Sequence, residues 1–185
     1  MLSEITEKIV RNCKRMDSLV KNLLTLADID NIPKNRMQKS SLSSITDNIR
    51  RQLLANHSDA NLKITHLSGN LTLRVDPDLL ELALFNLIDN AAKYSRKPAQ
   101  IELSTQSNDG FIEIRVRDRG IGIPESDLPH VFERFYTVSK SHARKLGGAG
   151  LGLSIVKNII EKHDGKIRVE SKLGAGTTFT VSLPT

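Results

Sequence analysis

The sequence predicts an α+β fold, a two-layer α/β sandwich preceded by a long amphipathic helix. Two observations support this prediction: helical and strand-like hydrophobic patterns alternate along the chain, and the strand-like segments come in pairs beside apolar helices. A length of 185 residues, 38% hydrophobic and 26% charged, suits one globular domain with an appended element. No apolar run approaches the roughly 20 residues that a membrane-spanning helix needs.

The first predicted element is a helix over residues 3–30. Apolar residues recur there at helical spacing: Ile5, Ile9, Met16, Leu19, Val20, Leu23, Leu24, Leu26 and Ala27. This stripe is too apolar to stay exposed, so we expect it to pair with another helix or to pack on the domain that follows. The segment "NIPKNRMQKSS" then reads as a linker, because Pro33 disfavours a helical residue before it.

The central part of the chain carries two helices with a pair of strands between them. An amphipathic helix is expected from Leu42 to Leu53, with Ser40 or Ser41 as its N-cap. The segments "LKITHL" and "LTLRVD" alternate as two strands around a turn at Ser68–Asn70. A strongly apolar helix follows in "DPDLLELALFNLIDNAAKYS", and Asp76 is expected to cap it.

The C-terminal part continues the alternation. The segments "QIELSTQ" and "FIEIRVRD" form a hairpin around Asn108–Gly110, and a short helical piece is expected near Leu128–Phe135. After a polar stretch, a helix runs from Leu151 to Lys162. The strands "KIRVES" and "TTFTVSLP" close the chain and are joined through Gly174–Gly176.

Charge and cysteine content narrow the possible partners. The net charge is +6, but the basic residues are spread along the chain and Trp is absent, so we expect a solvated basic surface and no nucleic-acid partner. The single Cys13 allows no internal disulfide, fits a reducing compartment and is expected to be a small core residue.

The segment "NLIDNAAKYS" places polar side chains in an otherwise apolar helix. Asn86 and Asn90 are four residues apart and share one helical face, with Lys93 and Tyr94 one turn further. Buried amides need partners, so they either bond to loop backbone or offer oxygen ligands to Mg²⁺. In the second case Lys93 would meet a phosphate as a point charge.

Two further segments combine glycines with charged groups. In "DRGIGIP", Asp118 ends a strand before Gly120 and Gly122, so it either belongs to an ordinary turn or accepts a hydrogen bond from an exocyclic amine such as that of adenine. In "KLGGAGLGL", glycines precede a helix, where free backbone N–H groups and the helix dipole favour an anion. Neither a Walker P-loop nor a dinucleotide-binding strand is present.

Between these segments lies "VFERFYTVSKSHARKLGG". Phe132, Phe135 and Tyr136 begin it, and a polar basic stretch follows. A loop fixed by aromatic residues and ending in glycines is typical of a movable lid, and the alternative is a charged surface loop. Its candidate phosphate-binding cations are Lys140, Arg144 and Lys145.

Together these motifs carry a resemblance. In order they read N-x-x-x-N-A-x-K-Y, D-x-G-x-G, F-x-x-F, G-x-G-L-G-L and "GAGTTF", which resembles the GHKL family of ATPases, specifically the catalytic domain of two-component sensor histidine kinases. The segment "RMDSLVKNLLTLADID" is similar to the second helix of the family's dimerisation and histidine-phosphotransfer hairpin. The resemblance implies that hairpin helix at residues 1–32, a linker at 33–40 and an ATP-binding catalytic domain at 41–185.

The resemblance also implies ATP and Mg²⁺ as cofactors and gives roles to residues. Asn90 would ligate Mg²⁺, Asp118 would read adenine with help from Thr177, and the lid cations would reach the γ-phosphate. The implied ATP-binding set is Asn86, Asn90, Lys93, Tyr94, Asp118, Gly120, Gly122, Ile123, Phe132, Phe135, Lys140, Arg144, Lys145, Gly148, Gly150, Leu151, Gly152, Leu153 and Thr177.

One departure from the family pattern concerns the phosphate acceptor. Kinases of this family phosphorylate a histidine followed by an acidic residue, in a motif such as H-E-x-x-R-T-P. None of the five histidines stands in such a motif, and His163, which precedes Asp164, ends a helix and is interpreted as structural. We therefore expect transfer of the ATP γ-phosphate to a histidine outside this sequence, without autophosphorylation. The sequence fits a fragment of a longer kinase or a short natural protein.

The implied partners are a response-regulator receiver domain, the histidine-bearing helix of a full kinase and a second copy in a homodimer. The implied location is cytoplasmic, with membrane attachment only through segments outside this sequence. One alternative is a regulatory ATP-binding module resembling anti-sigma factors of the same superfamily. A DNA-repair or topoisomerase-type ATPase is disfavoured, because such enzymes activate water with a carboxylate where this chain has Asn86, and Glu81 faces elsewhere.

Overall fold

The computed structural model describes residues 2–31, 36–139 and 149–185. A 3₁₀ helix covers Glu125–His130. The other elements are α1 (Leu2–Asn31), β1 (Gln38–Ser41), α2 (Leu42–Asn56), β2 (Asn61–His66), β3 (Thr72–Val75), α3 (Pro77–Tyr94), β4 (Gln100–Asn108), β5 (Phe111–Asp118), α4 (Gly152–Lys162), β6 (Lys166–Lys172) and β7 (Gly176–Pro184).

A five-stranded sheet forms one layer, with the strand order β2-β4-β5-β7-β6. Its central strands alternate: Ile112, Ile114 and Val116 of β5 are buried under the helices, whereas Arg115 and Arg117 face outwards. Helices α3 and α4 pack against each other and against this buried face, and α2 packs on α3. The predicted two-layer α+β fold is confirmed.

Helix α3 runs through the middle of the core, and its start is encoded locally. The Asp76 side chain accepts hydrogen bonds from the N–H groups of Asp78 and Leu79, and Pro77 occupies the first turn. The Asp76 N–H donates to Nε2 of the buried His163, 3.0 Å away. His163 also donates from Nδ1 to the Ile159 carbonyl at 2.7 Å, so it links the start of α3 to the end of α4.

Strands β2 and β3 do not pair with each other, although the predicted turn at Ser68–Asn70 suggested that they would. Strand β2 pairs in parallel with β4, and β3 pairs with β1 in a separate two-stranded sheet. Strand β1 occupies the end of the segment predicted as a linker, residues 33–40. The helical piece predicted at Leu128–Phe135 starts earlier, as the 3₁₀ helix.

Helix α1 contacts the rest of the molecule through its last turns. Leu26 and Ile29 are buried against α4, and the Lys162 ammonium donates a hydrogen bond to the Ile29 carbonyl. Burial of two such side chains stabilises the contact by about 2 kcal/mol each. Further towards the N-terminus the apolar stripe is exposed, for example at Met16. Cys13 is also exposed, so the prediction that it is a core residue is wrong.

Among the helices that the structure describes, none combines the length and the apolar composition needed to cross a bilayer.

Candidate functional site

A cavity of about 260 Å³ opens between the C-terminal half of α3, the end of β5 and the start of α4. Both polar and apolar side chains line it, which suits a ligand with an apolar part and a charged part. The lining residues are Asn22, Asn86, Asp89, Asn90, Ala91, Lys93, Tyr94, Asp118, Ile121, Gly122, Ile123, Val131, Tyr136, Thr137, Val138, Ser139, Ala149, Gly150, Gly152, Leu153, Thr177 and Phe179.

One wall is a single face of α3. Asn86, Asn90 and Lys93 follow each other at helical spacing and all line the cavity. The Asn86 amide donates to the Leu82 carbonyl of its own helix at 2.9 Å, which leaves its oxygen towards α4. A Cβ at Gly152 would lie 3.0 Å from that oxygen, so the glycine keeps the space open. Among the described residues, the Asn90 amide has no hydrogen-bond partner.

The same wall carries an ion-pair chain that reaches out of the cavity. Lys93 Nζ lies 2.5 Å from Asp89 Oδ2, and His57 Nε2 lies 2.8 Å from Asp89 Oδ1. Because a carboxylate only accepts hydrogen bonds, His57 donates from Nε2. His57 caps the C-terminus of α2 outside the cavity.

The opposite end of the cavity is built around Asp118. This residue is 7% exposed, and its Oδ1 accepts hydrogen bonds from the N–H groups of Gly120, at 2.7 Å, and Thr177, at 3.3 Å. Burial raises the pKa of Asp118, and the two backbone donors oppose this shift. Both donors act on Oδ1, so Oδ2 accepts no bond from the described chain and is available to a ligand.

Close backbone contacts fix this end. Gly122 has φ +70°, and a Cβ there would lie 2.1 Å from the Lys172 carbonyl oxygen. Gly120 bridges to Ser95, and a Cβ there would lie 2.5 Å from the Tyr94 carbonyl oxygen. The end of α3, the turn after β5 and the β6–β7 turn therefore meet at van der Waals distance.

The start of α4 contacts the aromatic segment after the 3₁₀ helix. The Phe135 N–H donates to the Gly150 carbonyl at 2.8 Å, and a Cβ on Gly150 would lie 2.6 Å from the Tyr136 carbonyl oxygen. The Tyr136 hydroxyl donates to Asp127, and this bond raises the pKa of Tyr136. These contacts place Tyr136 on the cavity wall.

The predicted site residues fall into three groups. Residues on the cavity wall are Asn86, Asn90, Lys93, Tyr94, Asp118, Gly122, Ile123, Gly150, Gly152, Leu153 and Thr177. Lys140, Arg144, Lys145 and Gly148 lie outside the described residues.

The remaining four predicted residues do not line the cavity. Gly120 supports Asp118, and Leu151 is fully buried in the core. The Phe132 ring packs edge-on against Phe179, with centroids 6.2 Å apart. Phe135 is 60% exposed, and its backbone N–H donates to the Gly150 carbonyl. Their roles towards a ligand remain predictions.

Sequence reasoning missed several wall residues, of which Asp89 carries a charge. Its spacing could have revealed it, because Asp89 lies three residues after Asn86 and four before Lys93 on the same helical face. The polypeptide between Tyr136 and Ser139 also lines the cavity. Asn22 of α1 lines the cavity as well, and no local sequence pattern predicts this.

Among the described residues, no three His, Cys, Asp or Glu side chains are grouped so that they could hold a metal ion. A cation in this cavity would therefore depend on amide oxygens and on oxygens of its ligand. Such donors suit a hard ion such as Mg²⁺, which keeps waters and phosphate oxygens in its shell.

Comparisons with known proteins agree with this geometry. Residues 75–185 match the family described as histidine kinase-, DNA gyrase B-, and HSP90-like ATPases. The sensor-like histidine kinase SenX3 of Mycobacterium tuberculosis is 38% identical over 181 residues, covering 96% of this chain and 44% of that protein. The sensor protein kinase WalK of Staphylococcus saprophyticus is 35% identical over 178 residues, covering 92% and 28%.

The fold is shared with a solved structure as well. The mycobacterial sensor histidine kinase MprB superposes with a TM-score of 0.71 at 29% identity, covering 80% of this chain and 97% of that chain. The present chain spans less than half the length of SenX3 and WalK. The chain belongs to the family of histidine kinase-, DNA gyrase B- and HSP90-like ATPases, and its ATP-binding catalytic domain is of the sensor histidine kinase type.

Proposed function

We propose that the cavity binds ATP together with Mg²⁺ and presents the γ-phosphate to a histidine outside this sequence. The observation that carries the proposal is the pairing of two chemistries in one cavity. A buried carboxylate with a free oxygen stands at one end, and two carboxamides and a lysine stand at the other. Adenine and a magnesium-bound triphosphate need these two kinds of partner.

At the base end, Asp118 supports recognition of adenine. The exocyclic amine of adenine is a hydrogen-bond donor, whereas guanine has a carbonyl at the same position. Oδ2 of Asp118 accepts only, so it favours the amine and rejects the carbonyl. Thr177 lies beside it and donates its N–H to the same carboxylate, which keeps the acceptor oriented.

At the phosphate end, the asparagines fit a magnesium ion. The Asn90 amide has no partner among the described residues, and the Asn86 oxygen is turned towards α4. Asn90 is proposed as the protein ligand, with Asn86 beside the phosphates. When bound, Mg²⁺ would neutralise charge that develops on the transferring phosphate. Lys93 would meet a phosphate oxygen, and Gly150 and Gly152 would leave room at the N-terminus of α4.

The lid cations Lys140, Arg144 and Lys145, together with Gly148, are proposed to contact the phosphates from the segment outside the described residues. Phosphoryl transfer depends on positioning and electrostatics, so a cavity that aligns the γ-phosphate supplies most of what the reaction needs from this chain.

The acceptor histidine and the response-regulator receiver domain are proposed partners, as is a second copy of the chain meeting through α1. A cytoplasmic location is also proposed, with membrane attachment through segments outside this sequence. Hydrolysis with water is disfavoured, because Glu81 accepts hydrogen bonds from Asn48 and Gln52 of α2 and does not line the cavity.

The test is calorimetric titration of the chain with a non-hydrolysable ATP analogue, with and without Mg²⁺. Saturable binding that Mg²⁺ strengthens is expected, with a much weaker response to the GTP analogue. A separate hairpin that carries an acceptor histidine should then be phosphorylated when ATP is supplied. A folded chain that binds no adenine nucleotide in either condition would overturn the proposal.

A further inference from the structure

We propose that Asp89 is a positioning residue that sets how strongly the cavity binds nucleotide phosphates, by holding the Lys93 ammonium while His57 anchors Asp89 from outside. This inference rests on the proposed function of the cavity as an ATP site. The carboxylate of Asp89 directly precedes Asn90, the proposed Mg²⁺ ligand, on the wall where the phosphates are proposed to bind.

The two oxygens of Asp89 serve different partners. Oδ2 lies 2.5 Å from Lys93 Nζ, and Oδ1 lies 2.8 Å from His57 Nε2. Asp89 and Lys93 both line the cavity, whereas His57 stands at the C-terminal end of α2 and does not. The side chains of Asp89 and Lys93 are 18% and 33% exposed, so solvent screens the pair only in part. The carboxylate thus couples a wall cation to a neighbouring helix.

This arrangement makes a phosphate compete for Lys93. A lysine paired with a carboxylate offers little net charge, and Asp89 adds a negative charge close to the incoming anion. The His57 N–H takes up part of the carboxylate's hydrogen-bonding capacity and so weakens its hold on Lys93. Removal of the Asp89 charge should therefore strengthen phosphate binding, whereas removal of the His57 donor should weaken it.

The opposite signs separate this role from a purely structural one. Asp89→Ser and His57→Leu both remove the bond between α2 and α3, so a simple tether would give these two variants the same effect, whereas Asp89→Asn removes the charge and keeps an oxygen that can accept from His57. Lys97 supplies a matched control. Its ammonium lies 2.9 Å from Asp59, a residue that follows His57 closely in the sequence, but Lys97 does not line the cavity. Loss of the Lys97 charge should leave the phosphate dependence of binding unchanged.

The experiment titrates the full chain with adenosine, ADP and a non-hydrolysable ATP analogue, each with and without Mg²⁺. Asp89→Asn should tighten binding of the ATP analogue, relative to adenosine, by roughly three- to fivefold. His57→Leu should weaken binding of the ATP analogue, relative to adenosine, by about twofold. His57→Gln keeps a hydrogen-bond donor and should restore the parent value. Thermal unfolding of each variant confirms that it is folded, and Asp89→Ser provides a second test of the same direction.

The route through Lys93 is tested in a second background. When Lys93 is replaced by Met, Asp89→Asn should no longer tighten binding of the ATP analogue, because the cation it releases is gone. A gain that persists in Lys93→Met, the same sign for Asp89→Asn and His57→Leu, or a loss in Asp89→Asn seen only with Mg²⁺ would each overturn the inference. A wild-type chain that bound none of the three ligands would instead overturn the proposed function.

Discussion

At the Asp118 end of the cavity, main-chain groups hold the polar atoms in place, whereas at the Asn90 end side chains on one helix face present them to the ligand. Asp118 is fixed by two backbone N–H groups, and Gly120 and Gly122 bring neighbouring backbone within contact. The Asn90 end depends on amides and on the Lys93 ion pair. The first end is therefore part of the fold, while the second can be retuned by substitution without disturbing the core.

The largest expected effect comes from the backbone contacts of the Asp118 end. Gly122→Ala should destabilise the protein by about 3 kcal/mol or more, because it combines a left-handed residue with a Cβ placed 2.1 Å from the Lys172 carbonyl oxygen. Gly174→Ala is the matched control: its φ is +80° and nothing lies within 4 Å, so only about 1 kcal/mol is expected. Urea unfolding measures both, and equal losses would show that the close contact is not needed.

Asp118→Asn tests the choice of base. The Asn oxygen can still accept from the two backbone donors, which turns an NH₂ group towards the ligand in place of Oδ2. This NH₂ group would face the exocyclic amine of adenine, so binding of the ATP analogue should weaken by roughly 100-fold, while binding of the GTP analogue should change little. Competition binding with both analogues measures the ratio, and equal losses for the two would exclude a base-reading role.

Asn90→Ala addresses the other end. Loss of a single amide ligand should weaken the ATP analogue by about tenfold when Mg²⁺ is present and hardly at all when it is chelated. The unfolding free energy should stay close to that of the parent chain, because the Asn90 amide bonds no described residue. An equal loss with and without Mg²⁺ would assign Asn90 to the nucleotide and not to the metal.

The smallest expected effect concerns stability and pH. Burial raises the pKa of Asp118, so its ionised form destabilises the folded state at neutral pH, and this penalty is relieved as the pH falls through the raised pKa. Asp118→Asn should therefore be slightly more stable than the parent chain at pH 7, with the difference shrinking towards pH 4. Urea unfolding at both values measures it, and a difference that grows at low pH contradicts the assignment.

Local signals made much of the fold predictable from the sequence. The Asp76–Pro77 pair and the apolar pattern after it located α3, and Asn108–Gly110 located a hairpin. The order of the motifs along the chain also predicted that the asparagines, Asp118 and the glycines at the start of α4 form one site. Most of these residues line one cavity.

Long-range pairing explains what the sequence did not reveal. Turn residues at Ser68–Asn70 favoured a hairpin, but β2 finds its partner in β4, which follows only after α3. Strand β1 reads "QKSS", which has no apolar alternation and becomes a strand only because β3 is beside it. Asp89 has its second partner, His57, 32 residues away on another helix, and no spacing rule connects them.

The bond between His163 and Asp76 has a mechanical consequence. It joins the start of α3 to the end of α4, and the two helices stay in contact from there to Asn86 and Gly152 on the cavity wall. Helix α4 has 11 residues and is about 16 Å long, so a change of about 3° in its direction would move its N-terminus by roughly 0.8 Å. The bond between His163 and Asp76 therefore helps to hold the two walls of the cavity in register to within a distance that would matter for phosphoryl transfer.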